Sequence, residues 1–309
     1  MTTMTNQLLL NVLKDFAPIS LDQLNATMSL MERIDKKYIV SLKDLWRVMK
    51  ELTQDYFVLS INNNSLFTYD NIYMDTKDLL FFHQHETGAK SRMKVRTRHY
   101  VDSHIAFFEC KQKQGSLTRK GRYAIPVGQA LAMTDQSQSF FNGVSASLWL
   151  PFADVNLQPT IRTLYQRITL CSKKNDERIT IDFDMKLQDR SHPLAPVITL
   201  PPIAIIESKS THNNCRSHQT LEKLWYKSVS GCSKYCLALL YTGKVLETKK
   251  FKRTMNLIST FDKPLRKTVQ KRVIKTVKNL NSLKKIVPKA PIKSNTSQKN
   301  IELRLEDKK

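Results

Sequence analysis

Residues 92–100, with the sequence Arg-Met-Lys-Val-Arg-Thr-Arg-His-Tyr, decide the fold of this chain. Side chains of a β-strand point alternately to its two faces. A strand here therefore places Met93, Val95 and Thr97 on one face and four cations on the other, namely Arg92, Lys94, Arg96 and Arg98. Either this charged face is the solvated side of an edge strand, or its cations converge on a ligand with closely spaced negative charges. Phosphates fit such a ligand best.

Other segments show the same alternation of charged and apolar positions. The β-branched and aromatic residues that favour strands predict strands over residues 31–40, 67–74, 104–114, 116–126, 160–171, 177–187 and 203–209. In the first of these, Arg33, Asp35 and Lys37 share a face. The charged faces of the later strands hold Glu109, Lys111, Lys113, Lys120, Arg122, Arg178, Asp182, Asp184, Lys186, Glu207 and Lys209.

So many charged strand faces have two explanations. If all of them faced water, the apolar faces would form the core and the positive charge would be spread thinly. If the sheet closes into a barrel with its charged faces inward and helices over its apolar faces, the interior is a basic tunnel. Burying these cations without an anion is too costly, so such a tunnel is wet and binds polyanions. We predict the second arrangement, an α+β fold with a closed antiparallel β tunnel barrel.

Helices are predicted outside this barrel. Apolar spacing predicts a helical segment over residues 5–30, interrupted at Pro18, and Ser41 with Asp44 resembles a capping box that begins a helix. Further helices are predicted within residues 129–151 and 221–240. The expected domains are an N-terminal helical segment (1–30), the tunnel domain (31–248) and a basic C-terminal extension (249–309).

The charge is concentrated at the C-terminus. Of the 50 Lys and Arg and 27 Asp and Glu in the chain, residues 249–309 hold 19 and 4. A narrow apolar stripe after Pro264 predicts a helix, and the composition beyond Pro288 is typical of disorder. The alternatives for this tail are packing on the barrel or contact with an anionic membrane surface, a polyphosphate product or nucleic acid.

Cellular location and redox state follow from simple features. No apolar run approaches the ~18 residues of a membrane span, and the N-terminus lacks the pattern of a signal peptide. We expect a cytoplasmic protein, peripheral to the inner face of a membrane if its tail binds lipid. The 5 cysteines include no CxxC pair, which predicts reduced thiols and no zinc site.

Nine short motifs occur in an order that resembles the VTC domain. They are Glu32-Arg33-x-x-Lys36-Lys37-Tyr38, His85-x-x-Gly88, Arg92-x-Lys94-Val95-Arg96-x-Arg98-x-Tyr100, Glu109-x-Lys111, Lys120-Gly121-Arg122, Arg162-x-x-Tyr165-x-Arg167, Arg178-Ile179-Thr180-Ile181-Asp182, Glu207-x-Lys209 and Ser233-Lys234-Tyr235. This domain is the polyphosphate polymerase of the vacuolar transporter chaperone complex and one of the triphosphate tunnel metalloenzymes.

The resemblance implies transfer of the terminal phosphate of ATP to a growing inorganic polyphosphate chain, with Mn²⁺ or Mg²⁺. It implies that Glu207 holds the metal. It also implies phosphate contacts from Lys37, Arg96, Arg98, Lys111, Lys120, Tyr165, Arg167, Arg178, Ser233 and Lys234, and we add Arg92, Lys94, Arg122 and Lys209 as substrate-binding residues. The sequence departs from the family pattern at two positions, because the eukaryotic polymerases have an arginine near His85 and a lysine near Gly231.

The chemistry of the side chains divides these roles further. Arginine holds phosphate in a fixed bidentate geometry and lysine acts as a mobile point charge. We therefore expect Arg96, Arg98, Arg167 and Arg178 to grip the triphosphate, and we expect the transferred phosphoryl group or the acceptor end to contact Lys37, Lys111 and Lys234. Glu109 is either a second metal ligand or a salt-bridge partner that orients Lys111. Asp182 and Asp184 are expected to pair with arginines of the tunnel wall.

Four functions remain open at this point. The leading hypothesis is the polymerase, and a triphosphate hydrolase would use the same tunnel with water as the acceptor. The others are a non-catalytic polyphosphate-binding module and a nucleic-acid-binding protein. Specific nucleic-acid binding is not expected, because the basic strands lack interleaved aromatic residues for base stacking.

Overall fold

The computed structural model describes residues 3–26, 34–115, 117–147, 155–192, 194–246 and 248–261. One compact unit extends from Met1 to Asp262. Glu32, Arg33 and the helix predicted after Pro264 lie outside the described residues. Within those residues, no helix is long and apolar enough to cross a membrane.

Eleven strands and eight α-helices are described. The strands are β1 (Ala17–Ile19), β2 (Ile34–Ser41), β3 (Tyr56–Leu59), β4 (Phe67–Asp75), β5 (Ser91–Tyr100), β6 (Ile105–Gln114), β7 (Leu117–Ile125), β8 (Gln158–Ser172), β9 (Glu177–Asp189), β10 (Ile198–Thr199) and β11 (Ile203–Ser210). The helices are α1 (Thr3–Leu13), α2 (Leu21–Ala26), α3 (Leu42–Lys50), α4 (Leu80–Thr87), α5 (Asp135–Ser147), α6 (Arg216–Lys223), α7 (Lys234–Tyr241) and α8 (Lys249–Thr260).

All strands belong to one 11-stranded sheet, whose main path is β2-β11-β9-β8-β4-β5-β6-β7. Every neighbour along this path is antiparallel. The short strand β3 adds to β8, β1 pairs with β3 in parallel, and β10 pairs with β9. The predicted mixed α+β class with a large antiparallel sheet is confirmed, whereas closure of the sheet into a barrel stays a proposal.

Helices cover the apolar face of the sheet. Val48 and Met49 of α3 pack with Tyr38, Val40 and neighbouring strand residues in one buried cluster that also includes α1 and α6. The Ser41 side chain accepts the Lys43 N–H at 3.3 Å and caps α3, as its sequence predicts. Asp44 does not complete a capping box, because the Ser41 N–H donates to the Tyr226 hydroxyl, which in turn donates to Asp44. A second cluster joins Met93 and Val95 of β5 to Phe108 of β6 and Phe141 of α5. The apolar positions of β5 are therefore buried under a helix, which leaves its cations on the other face.

The helix α7 packs on the opposite face of the sheet. Its Tyr235 and Leu239 share a buried cluster with Ile39 and Ile205, and Phe251 of α8 belongs to the same cluster. Because α8 packs into this core, the domain boundary predicted at residue 249 lies inside the compact unit rather than at its end.

Three sequence predictions differ from the structure. Residues 5–30 do not form one helical segment, since β1 separates α1 from α2 and pairs with β3. Neither β3 nor α4 is predicted. In β9 the face alternation reverses at Asp184, which has a φ of 55° at a register shift. Asp184 is exposed as a result, and Met185 and Leu187 enter the apolar cluster under α7.

The docking of α8 makes a testable contribution to stability. Phe251 is 1% exposed, and its ring stacks on Phe82 of α4 with a centroid distance of 6.2 Å. Phe251→Ala removes this contact and leaves a cavity, so we expect the free energy of unfolding to fall by about 3 kcal/mol. The measurement is urea unfolding followed by circular dichroism.

The neighbouring exposed residue supplies the control. Lys252→Ala, on the solvent side of the same helix, should change the free energy of unfolding by no more than about 0.5 kcal/mol. An equally small effect of Phe251→Ala would show that α8 is not part of the folded core.

Candidate functional site

The face of the sheet that carries the cations of β5 is named here the basic face. Met93, Val95 and Thr97 are almost fully buried on the apolar side, so the alternation predicted for residues 92–100 is present. Cross-strand neighbours share a face of the sheet. Lys94 lies opposite Lys111, which lies opposite Lys120, and Arg96 lies opposite Glu109, which lies opposite Arg122.

The other half of the basic face is built by β2, β11, β9 and β8. Lys37 lies opposite Glu207, and Lys209 is flanked by Asp35 on one side and Arg178 on the other. On β8 and β9, Arg167 lies opposite Asp182, and the Arg167 Nε donates to the Asp182 Oδ1 at 2.6 Å.

The first turn of α7 brings these two halves together. The Lys234 Nζ lies 2.5 Å from the Asp182 Oδ2 of β9. The Lys94 Nζ of β5 donates to the Ser233 Oγ at 3.3 Å, and the Lys37 Nζ of β2 donates to the Cys232 carbonyl oxygen at 3.0 Å. The N-terminus of a helix favours anions. Three lysines from different elements therefore surround one site of positive potential.

Three carboxylates on the basic face are held in their ionised form. Burial raises the pKa of Asp182, but Arg167 and Lys234 outweigh it and the pKa lies at about 2. In the same way Arg96 and Arg98 overcome burial and set the pKa of Glu109 at about 2. Burial also raises the pKa of Glu207, and Lys37 and Lys209 outweigh that effect and hold its pKa well below the usual range. None of the three is poised to accept a proton near neutral pH.

Aromatic rings support the arginines of this face. Tyr69 stacks on Tyr165 at a centroid distance of 5.7 Å, and the guanidinium carbons of Arg167 and Arg98 lie 4.6 and 5.3 Å from the Tyr69 ring centroid. The Arg98 Nε also donates to the Asn71 Oδ1 at 3.0 Å. The sequence motifs indicate no role for Tyr69 and Asn71, although both lie at alternate positions of a predicted strand and so share a face.

The predicted site residues divide by exposure and position. Most of them are half-buried on or beside the basic face, namely Lys37, Arg92, Lys94, Arg96, Lys111, Arg167, Arg178, Glu207, Lys209, Ser233 and Lys234. Arg98 and Tyr165 are buried there, and Lys120 and Arg122 are exposed. Arg162, from one of the quoted motifs, is not on this face. Its Nη2 lies 2.6 Å from the Asp70 Oδ2 on the other side of the sheet.

The two residues predicted as metal ligands differ in their surroundings. The Glu109 Oε2 accepts hydrogen bonds from the Arg96 Nε at 2.8 Å and lies 2.7 Å from the Arg96 Nη2. Glu207 has looser contacts, with the Lys209 Nζ 3.8 Å from its Oε1. A single carboxylate beside a phosphate site fits Mg²⁺ or Mn²⁺, because such ions take most of their ligands from substrate phosphates and water.

A separate group of potential ligands lies at the end of the sheet. Asp176, His212 and Cys215 offer donor atoms within 4.8 Å of one another. The Asp176 carboxylate already lies 3.1 Å from the His212 Nε2, and burial raises the pKa of the Cys215 thiol to about 11. The Cys215 Sγ also lies 3.6 Å from the His212 Nδ1, so the three groups are partners of one another.

The comparisons with known proteins identify a family. The sequence matches the VTC domain over residues 32–242. The Hippeastrum protein HpAC1, whose structure is reported with a dominant triphosphatase activity, is 14% identical with a TM-score of 0.41, and the match covers 71% of this chain and 100% of that one. A candidate adenylate cyclase from Vibrio parahaemolyticus is 12% identical with a TM-score of 0.37, covering 66% and 97%. The sequence matches no curated protein.

The fold and the site define an α+β domain whose antiparallel sheet carries a concentrated basic face. The family match extends over more than half of the chain, and its bounds agree with the motifs quoted between Glu32 and Tyr235. The chain belongs to the VTC domain family, which confirms the resemblance found in the sequence.

The electrostatics of Lys94 predict a pH-dependent affinity for anions. Burial, followed by Lys37, lowers the pKa of Lys94 to about 7. A bound anion favours the ammonium form and raises this pKa again, so binding takes up a proton above pH 7. We expect the affinity for metal-free ATP to fall between about pH 7.5 and 9, by at most about tenfold per pH unit. Calorimetry in two buffers of different ionisation enthalpy measures both the affinity and the proton uptake.

Two variants test this assignment. Lys94→Gln should bind ATP more weakly at pH 7 and show a flatter pH dependence, because the titrating group is gone. Lys113→Gln, which removes an exposed lysine of β6, should keep the slope of the unmodified protein. If the slope and the proton uptake persist in Lys94→Gln, another group is responsible.

Proposed function

We propose that this protein is an ATP-dependent polyphosphate polymerase, in which the sheet closes into a tunnel and the basic face lines it. The observation that carries this proposal is the convergence of Lys37, Lys94 and Lys234 at the first turn of α7. Such a group of cations is costly to hold together without an anion. ATP and a polyphosphate end are two polyanions that such a site can bring together.

In this proposal the arginines hold the triphosphate of ATP. Arg98 and Arg167 are kept in place by the Tyr69 ring and by hydrogen bonds to Asn71 and Asp182. Phosphoryl transfer requires mainly an in-line arrangement of donor and acceptor and neutralisation of the transferred group. Pre-positioned guanidinium groups meet the first requirement, since little conformational entropy is lost when phosphate binds. Arg96 and Arg178 complete this set.

The lysines take the transferred phosphoryl group and the acceptor end. Lys37 donates to the Cys232 carbonyl oxygen, and Lys234 is the first residue of α7. Lys94, whose cross-strand neighbour is Lys111, donates to the Ser233 Oγ between them. Mobile ammonium groups suit a phosphate that moves during the reaction. Lys120 and Arg122, which are exposed on β7, would guide the growing chain.

The ionised carboxylates favour transfer to phosphate over hydrolysis. The carboxylates of Glu109, Asp182 and Glu207 all have lowered pKa values and so are weak bases. A water nucleophile benefits from a general base, whereas the end of a polyphosphate chain is already an anion. A triphosphate hydrolase is the second candidate, with water as the acceptor on the same face, and a polyphosphate-binding module without catalysis is the third.

A divalent ion would complete the site. In the proposal Glu207 holds Mn²⁺ or Mg²⁺ together with the phosphate oxygens of the substrate, and the ion supplies charge neutralisation at the leaving group. Glu109 orients Arg96 through its hydrogen bonds. The basic tail would add contact with an anionic membrane surface or another polyanion.

The direct test is incubation of the purified protein with ATP and Mn²⁺. We expect long polyphosphate chains on a stained gel and little free phosphate. Free phosphate without chains would establish the hydrolase instead. If neither product forms but polyphosphate binds, the protein is a binding module.

Glu207→Gln tests the metal. We expect turnover to fall by about 100-fold or more, because the divalent ion contributes several kcal/mol to the transition state. Polyphosphate binding should be retained, since the cations remain. Unchanged turnover would remove Glu207 from this role.

Arg96→Ala tests the basic face. Loss of a charge-assisted hydrogen bond should weaken the binding of ATP and polyphosphate by about 10- to 100-fold in an intact fold. Arg119→Ala is the matched control. Arg119 is exposed on β7 and lies on the face of the sheet opposite to the basic face, so this variant should bind ATP and polyphosphate with normal affinity. Unchanged affinity in Arg96→Ala would contradict the assignment of this face to substrate.

A further inference from the structure

A cavity of about 470 Å³ opens beside the first turn of α7. It lies between β2, β5, α4, α8 and the Ser228–Ser233 loop. Its volume falls in the range of about 300–1,000 Å³ that is typical of pockets for small ligands. Lys37 and Arg92 of the basic face line it, and Lys37 also donates to the Cys232 carbonyl oxygen, so the cavity borders the basic face.

The lining of this cavity is strongly cationic. It includes one carboxylate, Asp35, and five Lys or Arg side chains, which are Lys36, Lys37, Arg92, Lys250 and Arg253. In the part of the chain that the structure describes, the buried Arg92 Nε has no hydrogen-bond partner. The ion pairs found among those residues include none with Arg92, Lys250 or Arg253. The cavity therefore has positive charge that the protein itself leaves uncompensated.

His85 does not add to this charge. Burial, together with Lys94, Arg92 and Lys250, lowers the pKa of His85 to about 2, so its ring is neutral. The Lys250 Nζ donates to the His85 carbonyl oxygen, which fixes this lysine at the wall next to α4. The cations of the cavity are thus supplied by β2, β5 and α8.

Contacts of α8 place its cations in the cavity. The Thr254 Oγ1 donates to the Ser230 carbonyl oxygen at 2.9 Å, and Phe251 is buried beneath the helix. Gly231 has a φ of 74°, and a Cβ on it would lie 3.0 Å from the Lys250 carbonyl oxygen. The helix can approach this closely because residue 231 has no side chain. The helix α8 lies after residues 32–242, the part of the chain that matches the VTC domain.

We propose that α8 completes a second anion subsite, in which Lys250 and Arg253 act with Arg92 and Lys37 to bind several consecutive phosphate groups of an inorganic polyphosphate chain. This proposal rests on the proposed function, because it places the extended part of the chain beyond the groups that hold the triphosphate. A polymer of phosphates fits better than a single phosphate, since the cations come from three elements around an open cavity that borders the basic face.

Paired charge reversals on one helix test the subsite. All four Lys and Arg side chains of α8 are exposed. Lys250→Glu/Arg253→Glu reverses the two that line the cavity, and Lys249→Glu/Lys252→Glu reverses the two that do not. The full-length variants are titrated by calorimetry with tripolyphosphate and with long-chain polyphosphate at about 0.15 M salt, where charges beyond about 8 Å are screened. Circular dichroism verifies the fold of each.

We expect a selective loss of long-chain binding. Lys250→Glu/Arg253→Glu should bind long-chain polyphosphate at least about 10-fold more weakly than the control pair. This fold-change corresponds to about 1.4 kcal/mol of binding free energy. Its affinity for tripolyphosphate should stay within about twofold of the control. Lys250→Gln/Arg253→Gln should change binding in the same direction and replaces the reversal if that variant does not fold.

Other outcomes would overturn the subsite. Equal weakening by both pairs of reversals would mean a general effect of charge. Loss of tripolyphosphate affinity in the Lys250/Arg253 variants alone would mean that the cavity belongs to the triphosphate site. Failure of the polymerase assay is a separate result. If the protein makes no chains but its binding of long-chain polyphosphate depends on Lys250 and Arg253, the subsite is supported and the polymerase is not.

Discussion

The contacts of Asp182 with Arg167 and Lys234 are the interaction on which the site depends. They join β8, β9 and the start of α7 around one carboxylate with 0% exposure. A buried ion pair with two cationic partners is stable only when each charge keeps a partner. By holding Lys234 against the sheet, Asp182 fixes the first turn of α7 at the point where Lys37 and Lys94 also meet it.

The remaining charge balance explains how the face can fold without its ligand and still bind one. Asp182, Glu109 and Glu207 each neutralise the nearest cations, and the tyrosine rings hold the guanidinium groups in place. The sheet still presents more cations than carboxylates, and burial together with Lys37 lowers the pKa of Lys94 to about 7. A bound polyanion would restore the balance by pairing with the cations that the three carboxylates leave over.

Period-two alternation made much of this architecture predictable. The charged faces of β5, β6, β7 and β11 follow from it, whereas the cross-strand partners are seen only in the structure. Lys234 is indicated by the family motifs. Alternation does not show where a strand shifts register, so Asp184 was placed on the basic face although its positive φ turns the following residues over. The four-residue strand β3 is too short to show a period. Leu79 precedes α4 with a φ of 59°, which no capping residue in the sequence indicates.

The two departures from the family pattern have a common physical setting. His85 and Gly231 both line the cavity that α8 borders. A lysine at position 231 would have a strained φ of 74° and would place its Cβ 3.0 Å from the Lys250 carbonyl oxygen, so α8 would have to move by a few tenths of an ångström to admit it. In the proposed subsite, Lys250 and Arg253 of α8 lie beside these two positions. A helix that follows the matched domain then supplies positive charge at a place where His85 and Gly231 supply none.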